Sequence, residues 1–178
     1  MFIVNIKGGL GNQLFQYNLA LWLRDRYPGA DIRLDTSYFR RDSIHGGYLI
    51  ENPEFRTTSG RALRHPRIIG DAGFMEDDIP PDDDIVFDGY WQSMRFFGKR
   101  LLDFGRLFGS PSDGANLRYA ALIKESPSPV FVHVRCGDYN DHFVHGNIAT
   151  RAYFNNAIRE MTERVDSPEF FLFSDGKG

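Results

Sequence analysis

Phe2 to Ile6 is a short apolar run rich in β-formers, and it stops at Lys7-Gly8-Gly9-Leu10-Gly11-Asn12. From Gln13 to about Tyr27 the apolar residues recur at helical spacing. Leu14, Tyr17 and Leu21 form one stripe, and Phe15, Leu19, Trp22 and Leu23 widen it until most of the circumference is apolar, as in a helix buried on nearly every side. Pro28-Gly29 ends that helix and Ile32-Arg33-Leu34-Asp35 reads as a second strand, so the chain opens as a βαβ unit. Residues 37–84 carry scattered Gly, Pro, Arg and Asp with weak periodicity and predict no element that can be placed. Ile85-Val86-Phe87 is a strand, and Arg95 to Phe108 has Phe97, Leu101, Phe104 and Phe108 at helical spacing. Gly109 to Gly114 has linker composition. A short helix near Leu117 to Lys124 follows, and Ser126-Pro127-Ser128-Pro129 then introduces Val130 to Arg135, a near-continuous apolar run expected of a parallel strand buried on both faces. Thr150 is placed to cap a helix carrying Tyr153, Ala157, Ile158, Met161 and Val165 on one stripe, and Phe170 to Phe173 is the next strand. The expected architecture is α/β with two nucleotide-fold-like units, residues 1–112 and 113–178, the second ending after its second strand.

Composition narrows the function. The 178 residues are 42% hydrophobic and carry a formal net charge of −3, which is ordinary globular composition. The positive residues are scattered rather than gathered on a stripe, which argues against a nucleic-acid partner. Cys136 is the only cysteine, so no intramolecular disulfide forms. No stretch approaches about 18 apolar residues, and the apolar start reaches Gly8 too soon for a signal-peptide core, so a cytoplasmic protein is expected.

Candidate chemistry gathers at strand ends. Gly8, Gly9 and Gly11 lie where a strand hands over to a helix, where glycine lets backbone approach a ligand and free N–H groups face an anion. A tight turn packing helix on sheet would use the same glycines. The dinucleotide fingerprint needs a third glycine where this chain has Leu14, although Asp35 is spaced as a ribose partner would be. In the later strand, alternation puts Phe131, His133 and Arg135 on one face and the valines on the other. Arg135 at the rim offers a planar fork of donors for a diphosphate, and Gly137 allows the turn that brings Asp138 and Tyr139 alongside; a structural Arg-Asp pair is the alternative. A right-handed crossover to Phe171-Leu172-Phe173 would deliver Ser174 and Asp175 to the same edge. His133, Cys136, His142 and His145 lack an established ligand spacing, and Asp82-Asp83-Asp84 after Pro80-Pro81 reads as a solvated turn, so no metal is expected.

Five segments together resemble glycosyltransferase family 11, the galactoside α-1,2-fucosyltransferases. Lys7 to Tyr17 is similar to the family's amino-terminal signature, His133 to Tyr139 to its HxRxGDY motif, and Phe173-Ser174-Asp175 to the start of its FSDD segment; Gly89 to Ser93 and Tyr153 to Ile158 are similar too. The departures are Asn18 in place of a small alanine, Cys136 where a second arginine is frequent, and Gly176 in place of an aspartate. After Gly178 the family continues through segments that finish its donor domain, so the resemblance implies a second domain cut short.

The resemblance implies a GT-B arrangement of two Rossmann-like domains, the first binding acceptor and the second GDP-fucose. The implied reaction is inverting transfer of L-fucose to the 2-hydroxyl of a galactose-terminated oligosaccharide or glycan, without cofactor or metal. Arg135 and Asp138 are the expected catalytic residues. Gly9, Gly11, Asn12, His133, Arg135, Gly137, Tyr139, Ser174 and Asp175 are the expected donor and phosphate contacts. A lipid-linked acceptor would add peripheral membrane association. The competing readings are an inactive remnant that retains glycan or nucleotide binding and a nicotinamide-dependent oxidoreductase, against which Leu14 argues.

Overall fold

The computed structural model describes residues 1–41, 46–51, 53–58, 63–72, 74, 79, 84–97, 102–109, 112–134 and 150–174. It divides the chain into two compact units, Met1–Ser110 and Pro111–Gly178.

The first unit is built on a five-stranded parallel sheet. Its strands are β1 (Phe2–Asn5), β2 (Ile32–Asp35), β3 (Arg56–Thr58), β4 (Arg67–Ile69) and β5 (Ile85–Phe87), in the spatial order β3-β2-β1-β5-β4. β1 is central, with Phe2 opposite Ile32 on one side and Ile85 on the other, and Phe2, Ile3 and Val4 are all buried, as expected of a parallel strand covered on both faces. Helix α1 (Leu10–Arg26) packs on β1 and β2. Tyr17, Leu19, Ala20, Leu21 and Leu23 enter the core, and Leu14 and Trp22 pack against its edge. The core's far end is aromatic: Trp91 meets Phe74, Phe87 and Phe96 edge-on, with centroids 5.3, 5.8 and 5.7 Å away.

Three expectations change here. First, α1 begins at Leu10, not Gln13, because Gly9 takes an extended N-cap conformation and the Gly9 carbonyl already accepts from the Gln13 amide. Gly11 and Asn12 therefore belong to the first helical turn. Second, the helix expected over Arg95–Phe108 is not continuous: a 3-10 turn spans Met94–Phe96, and α2 (Phe104–Phe108) starts afresh where the Asp103 side chain caps the Arg106 amide. Third, the stretch in which nothing could be placed contributes β3, β4 and a 3-10 turn at Ser37–Arg40. β3 and β4 are the sheet's edges, so their exposed Arg56, Thr57, Arg67 and Ile68 carry no alternating pattern.

The second unit holds α3 (Gly114–Glu125), β6 (Pro129–Val134), α4 (Arg151–Arg164) and β7 (Glu169–Ser174), with β6 and β7 parallel. Thr150 caps α4 by accepting the Tyr153 amide, as its position suggested. β6 is not buried on both faces. Val130, Val132 and Val134 are half-buried, whereas Phe131 is 67% exposed and leans on Phe173 at 5.0 Å between ring centres. An apolar run shows only that a strand tolerates burial; the cover present among the described residues lies on the valine face.

Candidate functional site

In the first unit the chain leaves β1, runs through α1 to β2 on one side of it, and later returns as β5 on the other. The loops after β1 and β5 therefore lie side by side where the strand order breaks, a topological switch point, and open parallel sheets bind ligands beyond the carboxyl ends of their strands at such points.

Both loops are held by side chains of α1. Gln16 is fully buried; its Oε1 accepts from the Lys7 amide at 2.9 Å and its Nε2 donates to the Gly89 carbonyl at 3.0 Å, tying one loop to the other. Gln13, also fully buried, donates to the carbonyls of Gly8 and Gly47 and accepts from the Leu49 amide. Gly8 is required where it stands: φ is +77°, and a Cβ would lie 2.7 Å from Asn12 Nδ2 and 3.4 Å from the Tyr90 ring. Gly89 is required for a different reason, since a Cβ there would strike Asp71 at 2.8 Å. Asp71 Oδ2 accepts from both Tyr90 N and Trp91 N, which fixes Trp91 at φ +57° with its ring buried. Burial works against the Asp71 carboxylate, but those amides and Lys7 outweigh it and hold its pKa below the ordinary value.

The outer surface of this crevice is polar. Lys7 Nζ donates to Asp88 Oδ1 at 2.7 Å and lies 5.3 Å from the Tyr90 ring centre. That hydrogen bond lowers the Asp88 pKa against a smaller opposing effect of burial. Gln92 Nε2 donates to Asn12 Oδ1 at 2.7 Å, leaving the Asn12 amide nitrogen as a donor. α1 has no side-chain cap, and the space around Gly11 is open for 4 Å from where a Cβ would be. A 17-residue helix thus presents its positive end, with the N–H groups of Leu10, Gly11 and Asn12, at the switch point. Gly9, Gly11 and Asn12 are together there, as the sequence suggested. Asp35, considered as a ribose partner, instead accepts the Ser37 amide at 2.8 Å and shapes its own turn.

In the second unit the parallel register sets His133 opposite Phe173 and Val134 opposite Ser174, so the ends of β6 and β7 share one edge. His133 lies on the exposed face, 6.1 Å from Phe131 between ring centres. Arg135, Gly137, Asp138, Tyr139 and Asp175 lie outside the described residues, as do Cys136, His142, His145, Asp82 and Asp83. Asp84 is described, and it pairs with the amino terminus of Met1 at 2.8 Å.

Sequence reasoning missed Lys7, Asp71, Asp88, Tyr90 and Gln92. Gly89 to Ser93 carries a family likeness in the sequence and no role; the place of β5 beside β1, with β4 outside it, is what brings that segment next to the start of α1. Among the described residues no group of His, Cys, Asp and Glu side chains is placed to hold a metal, and no helix is long and apolar enough to cross a membrane.

A parallel α/β sheet with an uncapped helix start and polar side chains at its switch point is a Rossmann-like arrangement. The family model for glycosyl transferase family 11 matches residues 76–177, more than half of the chain. The chain belongs to that family of transferases, whose reaction takes a nucleotide-sugar donor and a glycan acceptor. It is also similar to an alpha-1,2-colitosyltransferase of Escherichia coli, 23% identical over 205 residues, covering 97% of this chain and 68% of that protein. No solved structure matches.

Proposed function

We propose that this protein transfers L-fucose, with inversion, from GDP-fucose to the 2-hydroxyl of a galactose-type acceptor. In this reading the first unit belongs to the acceptor side and the second to the donor side of a GT-B transferase. The supporting observation is that the family match runs from before β5 through β7, and so takes in both the Gly89–Gln92 turn and the paired ends of β6 and β7. The difficult step is departure of a diphosphate from an oxocarbenium-like sugar, so fixed positive donors near the leaving oxygens contribute most. Arg135, immediately after β6, is assigned that role, with His133, Gly137, Tyr139, Ser174 and Asp175 around the nucleotide diphosphate. Asp138 is the candidate for activating the acceptor hydroxyl, and Gly9, Gly11 and Asn12 at the open start of α1 belong to the acceptor side. No divalent ion has a part in this scheme.

The E. coli relative's name favours a second donor, nucleotide-activated colitose, on the same site. The assay supplies each donor with a β-galactoside and determines the product linkage by NMR. The expected outcome is an α-1,2-fucoside whose formation EDTA leaves unchanged. Arg135→Ala should weaken GDP-fucose binding about ten- to a hundredfold. It should lower turnover by about 10²–10³. Arg135→Lys should recover binding better than turnover, because a point charge replaces a planar fork. GDP binding without transfer of either sugar would indicate a remnant, and NAD binding would overturn the proposal.

A further inference from the structure

Tyr90 is 45% exposed, yet the turn that carries it is held at several points. Its amide and that of Trp91 share one Asp71 oxygen, the Gly89 carbonyl accepts from buried Gln16, and the Trp91 ring anchors the turn in the aromatic core. None of these contacts uses the Tyr90 ring. The fold thus holds a large aromatic side chain in the open beyond β5, at the switch point, at little further entropic cost on binding.

The neighbours indicate what would lie on it. Lys7 Nζ occupies one side of the ring and is itself paired with Asp88, so the patch is close to neutral. Asn12 and Gln92, joined through Asn12 Oδ1, contribute carboxamides, and the Asp88 carboxylate, which accepts from Lys7 and Asn5, has lone pairs left for a further donor. An apolar flat face bordered by neutral amides and an acceptor pair matches a pyranose, which has one C–H face and a rim of hydroxyls. A phosphate would instead meet the Asp88 carboxylate.

We infer that Tyr90 is the stacking platform for the acceptor's hexose, with Asp88, Asn12 and Gln92 meeting its hydroxyls. This rests on the sugar-transfer reading above, and the two are separable by experiment. Methyl β-galactoside and GDP are titrated separately into the 178-residue chain and into Tyr90→Ala, Tyr90→Leu and Tyr90→Phe, with binding followed by saturation-transfer NMR. The wild type should bind the galactoside with contacts concentrated on one face of the ring. Tyr90→Phe should keep that affinity. Tyr90→Ala and Tyr90→Leu should lose about tenfold or more, because neither has a flat face, while GDP affinity and the melting temperature stay near wild type. Tyr90→Leu keeps apolar bulk and so tests the idea even if the alanine variant folds poorly. Galactoside affinity unchanged in both variants, no galactoside binding by the wild type, or loss of GDP rather than galactoside affinity would each overturn the assignment. Tyr90-dependent galactoside binding without any sugar transfer would leave the platform standing and remove the transferase reading. Transfer with an unaltered acceptor KM in Tyr90→Ala would do the reverse.

Discussion

Gln13→Met should destabilise the first unit far more than a near-isosteric replacement on a helix normally does. The wild-type amide spends both N–H groups and its oxygen on three backbone groups: the carbonyls of Gly8 and Gly47, each at 3.0 Å, and the Leu49 amide at 2.9 Å. At roughly 0.5–1.5 kcal/mol net for each bond, their loss comes to about 3 kcal/mol. The Gly8 carbonyl is buried, and leaving it unpaired adds about 1 kcal/mol or more. Methionine fills much the same volume, so the cavity contribution is small and the effect reads the polar loss alone. A total of about 4 kcal/mol is a large part of the 5–15 kcal/mol typical of a domain. Trp22 and Trp91, the chain's two tryptophans, both lie in the first unit, so urea unfolding followed by tryptophan fluorescence reports on that unit. Gln13→Glu supplies an independent check. Its carboxylate would face two carbonyl oxygens in a fully buried position, so its folded pKa is raised and the protonated form is the one the fold accepts. That variant should therefore be most stable at acid pH and lose stability as pH rises above the ordinary glutamate pKa of about 4.3. A loss below about 1 kcal/mol for Gln13→Met, with a pH-independent Gln13→Glu, would show that the three bonds do not hold the turn.

Two further perturbations separate structural from ligand-facing roles. Gly8→Ala must adopt φ +77° and press on Asn12, and should cost about 1–3 kcal/mol in urea unfolding, whereas Gly11→Ala meets open space in a helical turn and should stabilise by about 0.5–1 kcal/mol. If a ligand approaches the Gly11 backbone, that stabler variant will bind donor or acceptor less well, and equal binding would remove Gly11 from the site. The Asp71 pKa is depressed in the fold, so its contribution is complete above the unfolded value of 3.8 and is lost as pH falls through the lower folded value. Asp71→Asn should accordingly cost about 1 kcal/mol near neutral pH, a figure kept small because the side chain is exposed, and should flatten the acid limb of the stability profile measured by thermal melts.

What the sequence disclosed follows from where its patterns have a physical cause. β1 and β5 were legible because central parallel strands are apolar on both faces, β2 because buried Ile32 and Leu34 alternate with Arg33 and Asp35, and α1 because its stripe is unusually wide. β3 and β4 were not, because an edge strand of exposed arginines and threonines meets no such demand. The break in the expected Arg95–Phe108 helix has a sequence sign in Asp103, a capping residue inside a helical spacing of phenylalanines. At the site, Gly9, Gly11 and Asn12 were legible as a strand-to-helix turn. Tyr90 and Gln92 were not, since their place beside that turn comes from the sheet order, in which β5 is inserted between β1 and β4. Asn18, a departure from the family pattern, has a definite contact: its Nδ2 donates to the Phe96 carbonyl at 2.6 Å from a fully buried position.

The segment from Lys7 to Tyr17 divides its work by helical angle. Gln13, Gln16 and Tyr17 stand at spacings of three and four and face inward, where the glutamines close the Gly8 and Gly89 turns and Tyr17 OH accepts the Glu54 amide. Gly11 and Asn12 fall on the outer side of the same turn and take no part in the core. A likeness resting on the glutamines is therefore a statement about fold, because a chain without catalysis would need them to shape the loop. A likeness resting on Gly11 and Asn12 has no such structural requirement behind it: Gly11 meets nothing, and the Asn12 oxygen bonds a side chain that is itself exposed. On the proposed function these two positions, with Tyr90 and Gln92, are where a ligand rather than the core would account for the residue type, and substitutions there should discriminate a working transferase from a folded remnant.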